Sequence, residues 1–302
     1  MRALITGSSG FVGRHLEHHL VESGDEVVGT DRASGGPDLL DAVGFASLLA
    51  DVRPDAVYHL AGDADVGGSW DHPRETFRAN AEGTLNILKA ARACNVGRVL
   101  HIGSADVYGR VRPHELPLSE SSPLRPVSPY AASKIAAEYL ALQACGGYGQ
   151  EVVIVRAFNH IGPGQSDRFV APAVAMRIAR AELDGSPTIT AGNLTPRRDL
   201  TDVRDVVRAY RLLVVSGEPG VAYNVCSGIA LSVAEICEAL IAASTADLTL
   251  EADPELQRPV DLPVLIGDNS RLTAATGWEP IIPIAQSLGD LLAECRTRPT
   301  VA

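Results

Sequence analysis

The run Ser128-Pro129-Tyr130-Ala131-Ala132-Ser133-Lys134 is where residue type and spacing point most directly to chemistry. Pro129 suits the first turn of a helix, which puts Tyr130 and Lys134 at i and i+4 on one face. A tyrosine with a pKa near ~10 is a poor acid–base group at neutral pH. An adjacent ammonium stabilises the phenolate and lowers that value, each unit corresponding to about 1.4 kcal/mol. Lys134 and Lys89 are the only lysines among 26 lysines and arginines, so a compact ammonium stands here in a chain that otherwise uses arginine. Ser104 follows the strand-like run Val99–Ile102. It therefore falls at the carboxyl edge of a sheet, where open α/β folds bind ligands, and its hydroxyl can orient a carbonyl oxygen beside Tyr130.

A second constellation lies at the N-terminus. Gly7-Ser8-Ser9-Gly10-Phe11-Val12-Gly13 directly follows the apolar run Ala3–Thr6 and opens a helix. Glycines there let the backbone turn tightly and approach a pyrophosphate, to which the helix start offers free N–H groups. Asp31 ends the next apolar run, Glu26–Thr30. A carboxylate at that point accepts from the ribose 2′-hydroxyl of NAD and repels a 2′-phosphate; Arg32, its neighbour, would instead attract the phosphate of NADP. The reading leans to NAD. Asp38 and Leu39, beyond a short glycine-rich loop, can serve as adenine contacts or as plain loop residues.

These residues need a scaffold that alternates strands and helices. Short β-branched runs at Ala3–Thr6, Glu26–Thr30, Ala56–Leu60, Val99–Ile102 and Val152–Val155 predict strands. Between them, Val12–Ser23, Phe45–Ala50, Arg74–Ala93 and Pro129–Gln143 predict helices. The alternation implies an α/β fold, a Rossmann-type doubly wound parallel sheet with helices on both faces. Beyond Asn159 prolines 163, 172, 187 and 196 loosen the pattern, and further helices are expected near Val203–Val215, Val233–Ala243 and Ile284–Glu294. The expected division is a dinucleotide-binding domain of residues 1–158 with roughly 199–225, and a smaller C-terminal substrate-binding lobe of 159–198 and 226–302.

Composition narrows the function classes. The chain has 302 residues, 46% hydrophobic and 21% charged, with a formal net charge of −11. That balance fits a globular protein with a sizeable core and disfavours general attraction to nucleic acid or anionic lipid. Five scattered cysteines without a C-x-x-C pair predict reduced thiols, not a disulfide frame or a metal site. No apolar run approaches the ~20 residues of a membrane span, and the N-terminus reads as a strand and not as a signal peptide. The expectation is a cytoplasmic protein without a nucleic-acid or membrane partner.

With Gly7/Gly10/Gly13, Ser104 and Tyr130/Lys134 in this order, the chain resembles the extended short-chain dehydrogenases/reductases that act on nucleotide sugars, over about residues 1–296. His59-Leu60-Ala61-Gly62 and Asn80-Ala81-Glu82-Gly83-Thr84 belong to the likeness. The resemblance implies that Leu60, Ala61 and Gly62 join Phe11 and Val12 along the cofactor, and that Asn80 completes an Asn–Ser–Tyr–Lys set by positioning water and helix backbone. Three later stretches, Arg156 to Gln165, Arg198 to Asp205 and Arg258 to Asp268, are similar to those of GDP-4-keto-6-deoxy-D-mannose reductases. By that resemblance Asn159, Arg198 and Arg258 hold the substrate diphosphate, as guanidinium forks can, and the enzyme is a homodimer joined by a four-helix bundle.

The implied reaction is NAD(P)H-dependent reduction of a GDP-4-keto-6-deoxyhexose, with GDP-D-rhamnose as product. One departure bears on this: after Ser104 come Ala105, which carries no proton or charge, and Asp106, one methylene shorter than the glutamate of nucleotide-sugar 4,6-dehydratases. A 4-epimerase with retained NAD, a GDP-mannose 4,6-dehydratase, and a silent dinucleotide-sensing protein are the other readings.

Overall fold

The computed structural model describes residues 1–253 and 262–298. Strand β1 (Arg2–Thr6) leads into α1 (Phe11–Glu22), β2 (Glu26–Thr30), α2 (Ala42–Val52) and β3 (Ala56–His59). Then come α3 (Pro73–Phe77), α4 (Gly83–Ala93), β4 (Arg98–Ser104), α5 (Pro129–Tyr148) and β5 (Val152–Ala157). All five strands pair in parallel. β1 and β5 are almost wholly buried, as strands covered on both faces must be.

Three features differ from the sequence expectation. The predicted Arg74–Ala93 helix forms as one run, Pro73–Ala93, but not a regular one: a π-helical turn, Arg78–Glu82, lies between α3 and α4 and contains Asn80. Such turns insert an extra residue into the helical ladder and re-aim a side chain. β4 runs on through Ser104, so the serine is the last strand residue and not one beyond the strand.

The third difference lies after β6 (Asn159–Ile161), where the chain forms α6 (Val170–Asp184). The prolines mask this helix in the sequence, but Pro172 sits in its first turn, where the missing N–H has no helical partner to lose. Next come β7 (Thr188–Ala191), β8 (Arg197–Asp202), α7 (Val203–Ser216) and β9 (Ala222–Val225). β9 pairs with β5, giving a six-stranded parallel sheet in the order β2-β1-β3-β4-β5-β9. The rest comprises β10 (Ala230–Ser232), α8 (Val233–Ala242), β11 (Thr249–Ala252), β12 (Val264–Leu265), α9 (Ser270–Thr276) and α10 (Ile284–Thr297).

The strand alternation of β1 and β3 sorts side chains to two layers. Ile5 and Tyr58 face α1 and α7, whereas Leu4 and Val57 face α2, α4 and α5. A third apolar core joins α6, α8 and α10. β8 is the centre of the second sheet, pairing in parallel with β6 and β12 and antiparallel with β10. Asp199, on β8 and fully buried, accepts from the backbone N–H groups of Ser227, Gly228 and Gly267 and so pins two loops, those after β9 and β12. Among the described residues no helix is long and apolar enough to cross a membrane.

Candidate active site

One cavity of about 1100 Å³ lies over the carboxyl edge of the parallel sheet. Asp31, Arg32, Asp38 and Leu39 form one end, on the β2 side; Gly7, Gly10, Phe11, Val12 and Gly13 follow after β1, and Leu60, Ala61 and Gly62 after β3. Ser104, Asp106, Tyr130, Lys134 and Asn159 line the other end. Gly7 adopts φ +75°, a left-handed conformation that favours glycine. A Cβ on Gly13 would collide with the Gly7 carbonyl oxygen, so that glycine lets α1 start directly against the loop. The loop can present backbone N–H groups to a pyrophosphate.

Asp31 is tied to this loop. Its carboxylate accepts from the N–H of Ser9 at 2.7 Å and of Ser34 at 2.8 Å, with the Ser8 hydroxyl at 3.3 Å. These bonds, Ser9 foremost, hold its carboxyl well below the usual range, so it stays anionic. Arg32 is 81% exposed and 3.5 Å from Asp38.

The helix α5 starts at a well-made cap. Ser128 accepts from the Ala131 N–H at 3.1 Å and Pro129 follows it, a combination whose serine contributes about 1 kcal/mol. Tyr130 N–H also donates to Ser69 at 3.3 Å. As expected, Tyr130 and Lys134 face one cavity, the ammonium nitrogen 5.9 Å from the phenol ring centre. The electrostatics, however, run against the sequence expectation. Burial drives the Tyr130 phenol above its ordinary value; Asp106 and Asp63 add to this, and a Ser104 hydrogen bond opposes it. Lys134 donates to the Ile102 carbonyl at 3.1 Å instead of bonding the phenol. Burial lowers the lysine to about 8, with Asp63 working the other way. Spacing puts two side chains on one face, but only packing sets how dry that face is.

Asn80 does not line the cavity; it braces it from behind. Its amide oxygen accepts from Asp63 N–H at 2.9 Å, and its amide nitrogen donates to the Asp63 carbonyl at 3.1 Å and to the Ser133 hydroxyl at 2.9 Å. Ser133 in turn donates to the Tyr130 carbonyl at 2.7 Å.

The Asn80 carbonyl also ends a directed chain. Thr6 accepts from Ala61 N–H at 3.1 Å, and its hydroxyl donates to His59 Nδ1 at 2.9 Å, because the ring proton is on Nε2, facing a Thr84 hydroxyl whose own proton is spent. His59 Nε2–H then donates to Thr84 at 3.2 Å, and Thr84 donates to the Asn80 carbonyl at 2.6 Å. Burial keeps His59 neutral, its pKa lowered to about 3.

Of the three expected diphosphate residues, two fall within the described structure. Arg198, on β8, is outside the cavity wall and donates to the carbonyls of Arg197 and Leu262. Arg258 lies outside the described residues. Asn159 does reach the cavity.

The fold also brings residues that spacing did not single out. His160 stacks on Phe11 with ring centres 5.9 Å apart and donates from Nδ1 to the Phe158 carbonyl, so its Nε2 lone pair is the free one. Asp63 and Phe169 join the wall. His160 stands beside the expected Asn159 but meets Phe11 only through the fold.

The pattern describing the NAD dependent epimerase/dehydratase family matches residues 3–226. The chain belongs to that family. It is 39% identical to the GDP-6-deoxy-D-mannose reductase of Pseudomonas aeruginosa over 299 residues, 98% of each chain. Among solved structures, RMD from P. aeruginosa complexed with NADPH superposes with a TM-score of 0.91 at 39% identity, covering 99% of both chains. A Thermus thermophilus UDP-glucose 4-epimerase in complex with NAD gives 0.86 at 31% identity, covering 98% of this chain and 99% of that one.

Proposed function

We propose that this protein reduces the 4-keto group of a GDP-4-keto-6-deoxyhexose, with GDP-D-rhamnose as product. What carries the reading is one cavity that runs from the Gly7 loop to Asn159 with Ser104 and Tyr130 between its ends, in a chain similar along its length to a GDP-6-deoxy-D-mannose reductase.

The loop that a Cβ at Gly13 would fill and the anionic Asp31 fit a nicotinamide dinucleotide. When bound, that cofactor supplies the hydride. Tyr130, kept protonated by burial, delivers the proton to the carbonyl oxygen as it gains charge, and Ser104 donates a hydrogen bond to the same oxygen. Lys134 supports the phenolate left on Tyr130. Ala105, buried and without a proton to give, argues against elimination of water across C5 and C6.

The anionic Asp31 after β2 supports NAD(H) over NADP(H), because a carboxylate there disfavours a 2′-phosphate while Arg32 pairs with Asp38. Residues 1–158 with 199–225 would hold this cofactor, and 159–198 with 226–302 the sugar nucleotide. Phe77, Leu85 and Tyr139 are exposed apolar residues on α3, α4 and α5, which supports a homodimer joined through these helices. Five free thiols accord with a cytoplasmic protein.

The deciding experiment is anaerobic turnover of GDP-4-keto-6-deoxy-D-mannose with NADH or NADPH, followed by nicotinamide absorbance and product NMR. One equivalent of oxidised cofactor per 4-hydroxy product supports the reductase. Interconversion of a C4 epimer pair without net oxidation would move the assignment to a 4-epimerase, the reading favoured by the likeness to the T. thermophilus enzyme.

A further inference from the structure

Two buried polar atoms in the cavity wall have no partner among the described residues, the Tyr210 hydroxyl and Gln165 Oε1. Gln165 is anchored through its other amide atom, which donates to the His160 carbonyl at 2.9 Å. The Tyr210 side chain has no such second bond. It projects from α7, is fully buried, and its ring belongs to the apolar layer between the sheet and helices α1 and α7. Burial keeps the phenol protonated, so it has an O–H to donate as well as an oxygen that accepts.

The helix aims this side chain. Residues of an α-helix lean toward its N-terminus, and α7 begins beside the cavity. A Cβ on Gly162 would lie 2.6 Å from Val203, the first residue of α7, and 3.9 Å from the Phe11 ring. The Tyr210 phenol therefore leans toward the carboxyl edge of the sheet. Leu60, Ile102 and Ala157 pack against the same apolar layer and line the cavity with it. Ile102 sets the level, because its carbonyl takes the Lys134 ammonium and Ser104 stands two residues further along β4. This part of the floor is at the reacting end; β1 and β3 separate β4 from β2, which Asp31 follows.

We propose that the Tyr210 hydroxyl is a binding residue for the nicotinamide carboxamide, reached from the α7 side of the sheet while Tyr130 and Lys134 act from the α5 side. The inference rests on the reading of this cavity as a nicotinamide dinucleotide site. A carboxamide offers an acceptor and donors, and so matches a phenol that is unpaired in both senses. A hydroxyl buried without a partner costs the free protein stability, and that cost is recovered when a ligand supplies the partner.

The test compares two ligands that differ at the nicotinamide alone, NADH and ADP-ribose, titrated calorimetrically into the full chain. NADPH and 2′-phospho-ADP-ribose take their places if the wild type binds only those. Tyr210→Phe keeps the ring and deletes the hydroxyl. Its affinity for NADH should fall about tenfold, with the affinity for ADP-ribose unchanged. Without ligand its melting temperature should equal or exceed that of the wild type.

An equal loss toward both ligands, or no loss toward either, would overturn the proposal. So would a phenylalanine protein that fails to fold or melts clearly lower without ligand, because the hydroxyl would then serve the fold. A wild type that binds no dinucleotide removes the cofactor reading itself, and this contact with it.

Discussion

The Asn80 amide clasps residue 63 on both sides, accepting from its N–H at 2.9 Å and donating to its carbonyl at 3.1 Å. Through the same amide nitrogen it reaches Ser133 and thence the Tyr130 carbonyl. One side chain thus couples the loop after β3 to the first turn of the helix carrying Tyr130 and Lys134.

Replacing Asn80 with alanine removes all three bonds and leaves the Ser133 hydroxyl and the Asp63 backbone in search of partners. A loss of about 2 kcal/mol in stability is expected, measured by urea unfolding. Turnover should fall by tenfold or more because α5 loses its registration, with a smaller change in KM.

Tyr130→Phe keeps the ring's packing and deletes the proton. General acid catalysis contributes about 10²–10⁴-fold, so kcat for ketone reduction should fall within that range while cofactor affinity is largely retained. Near-normal turnover would remove Tyr130 as the acid.

Lys134 links activity to stability in opposite senses. Its value drops from 10.5 to about 8 on folding, chiefly through burial. Below pH 8 the lysine is charged in both states, and burying it costs about 3 kcal/mol. Between pH 8 and 10.5 the unfolded chain binds more protons than the folded one, so this group makes stability rise with pH. Lys134→Met should therefore be inactive yet more stable at pH 7, by about 1–2 kcal/mol after loss of the Ile102 hydrogen bond. The difference from wild type should shrink towards pH 10.5, as chemical denaturation across pH would show.

The buried pair of Glu138, on α5, and Arg156, on β5, ties the helix to the sheet. The Arg156 guanidinium meets both carboxylate oxygens, at 3.0 and 2.7 Å, and continues to the Tyr108 hydroxyl at 3.0 Å. Both side chains are under 10% exposed. Glu138→Gln leaves an uncompensated buried cation, a change that typically costs about 3–5 kcal/mol. Thermal unfolding should show a large drop, and an unchanged midpoint would mean that the pair is not needed to hold α5.

Much of this arrangement is legible in the chain itself. Local backbone rules suffice for the strand–loop–helix start at Gly7, because the glycines permit its turn and the apolar runs on either side mark its elements. The i, i+4 spacing of Tyr130 and Lys134 needs only helical periodicity, and Pro129 marks where that periodicity begins. Asp31 and Ser104 are readable as residues at strand ends, since an α/β alternation brings every strand end to one edge.

What the sequence left open depends on contacts between distant segments. The dryness around Tyr130, which raises its phenol where the spacing suggested lowering, arises from packing of β4, α5 and the loop after β3. The π turn at Asn80 lies within a continuous helical run, and the partners of Asn80 there, Asp63 and Ser133, come from distant segments and not from a local preference. Arg198 has the charge of a phosphate ligand, but its placement on β8 beside the Leu262 carbonyl comes from the fold and not from its type. Residue type and period determine which groups are available and which share a face. Burial and partner choice are properties of the whole fold, and these decide protonation and therefore chemistry.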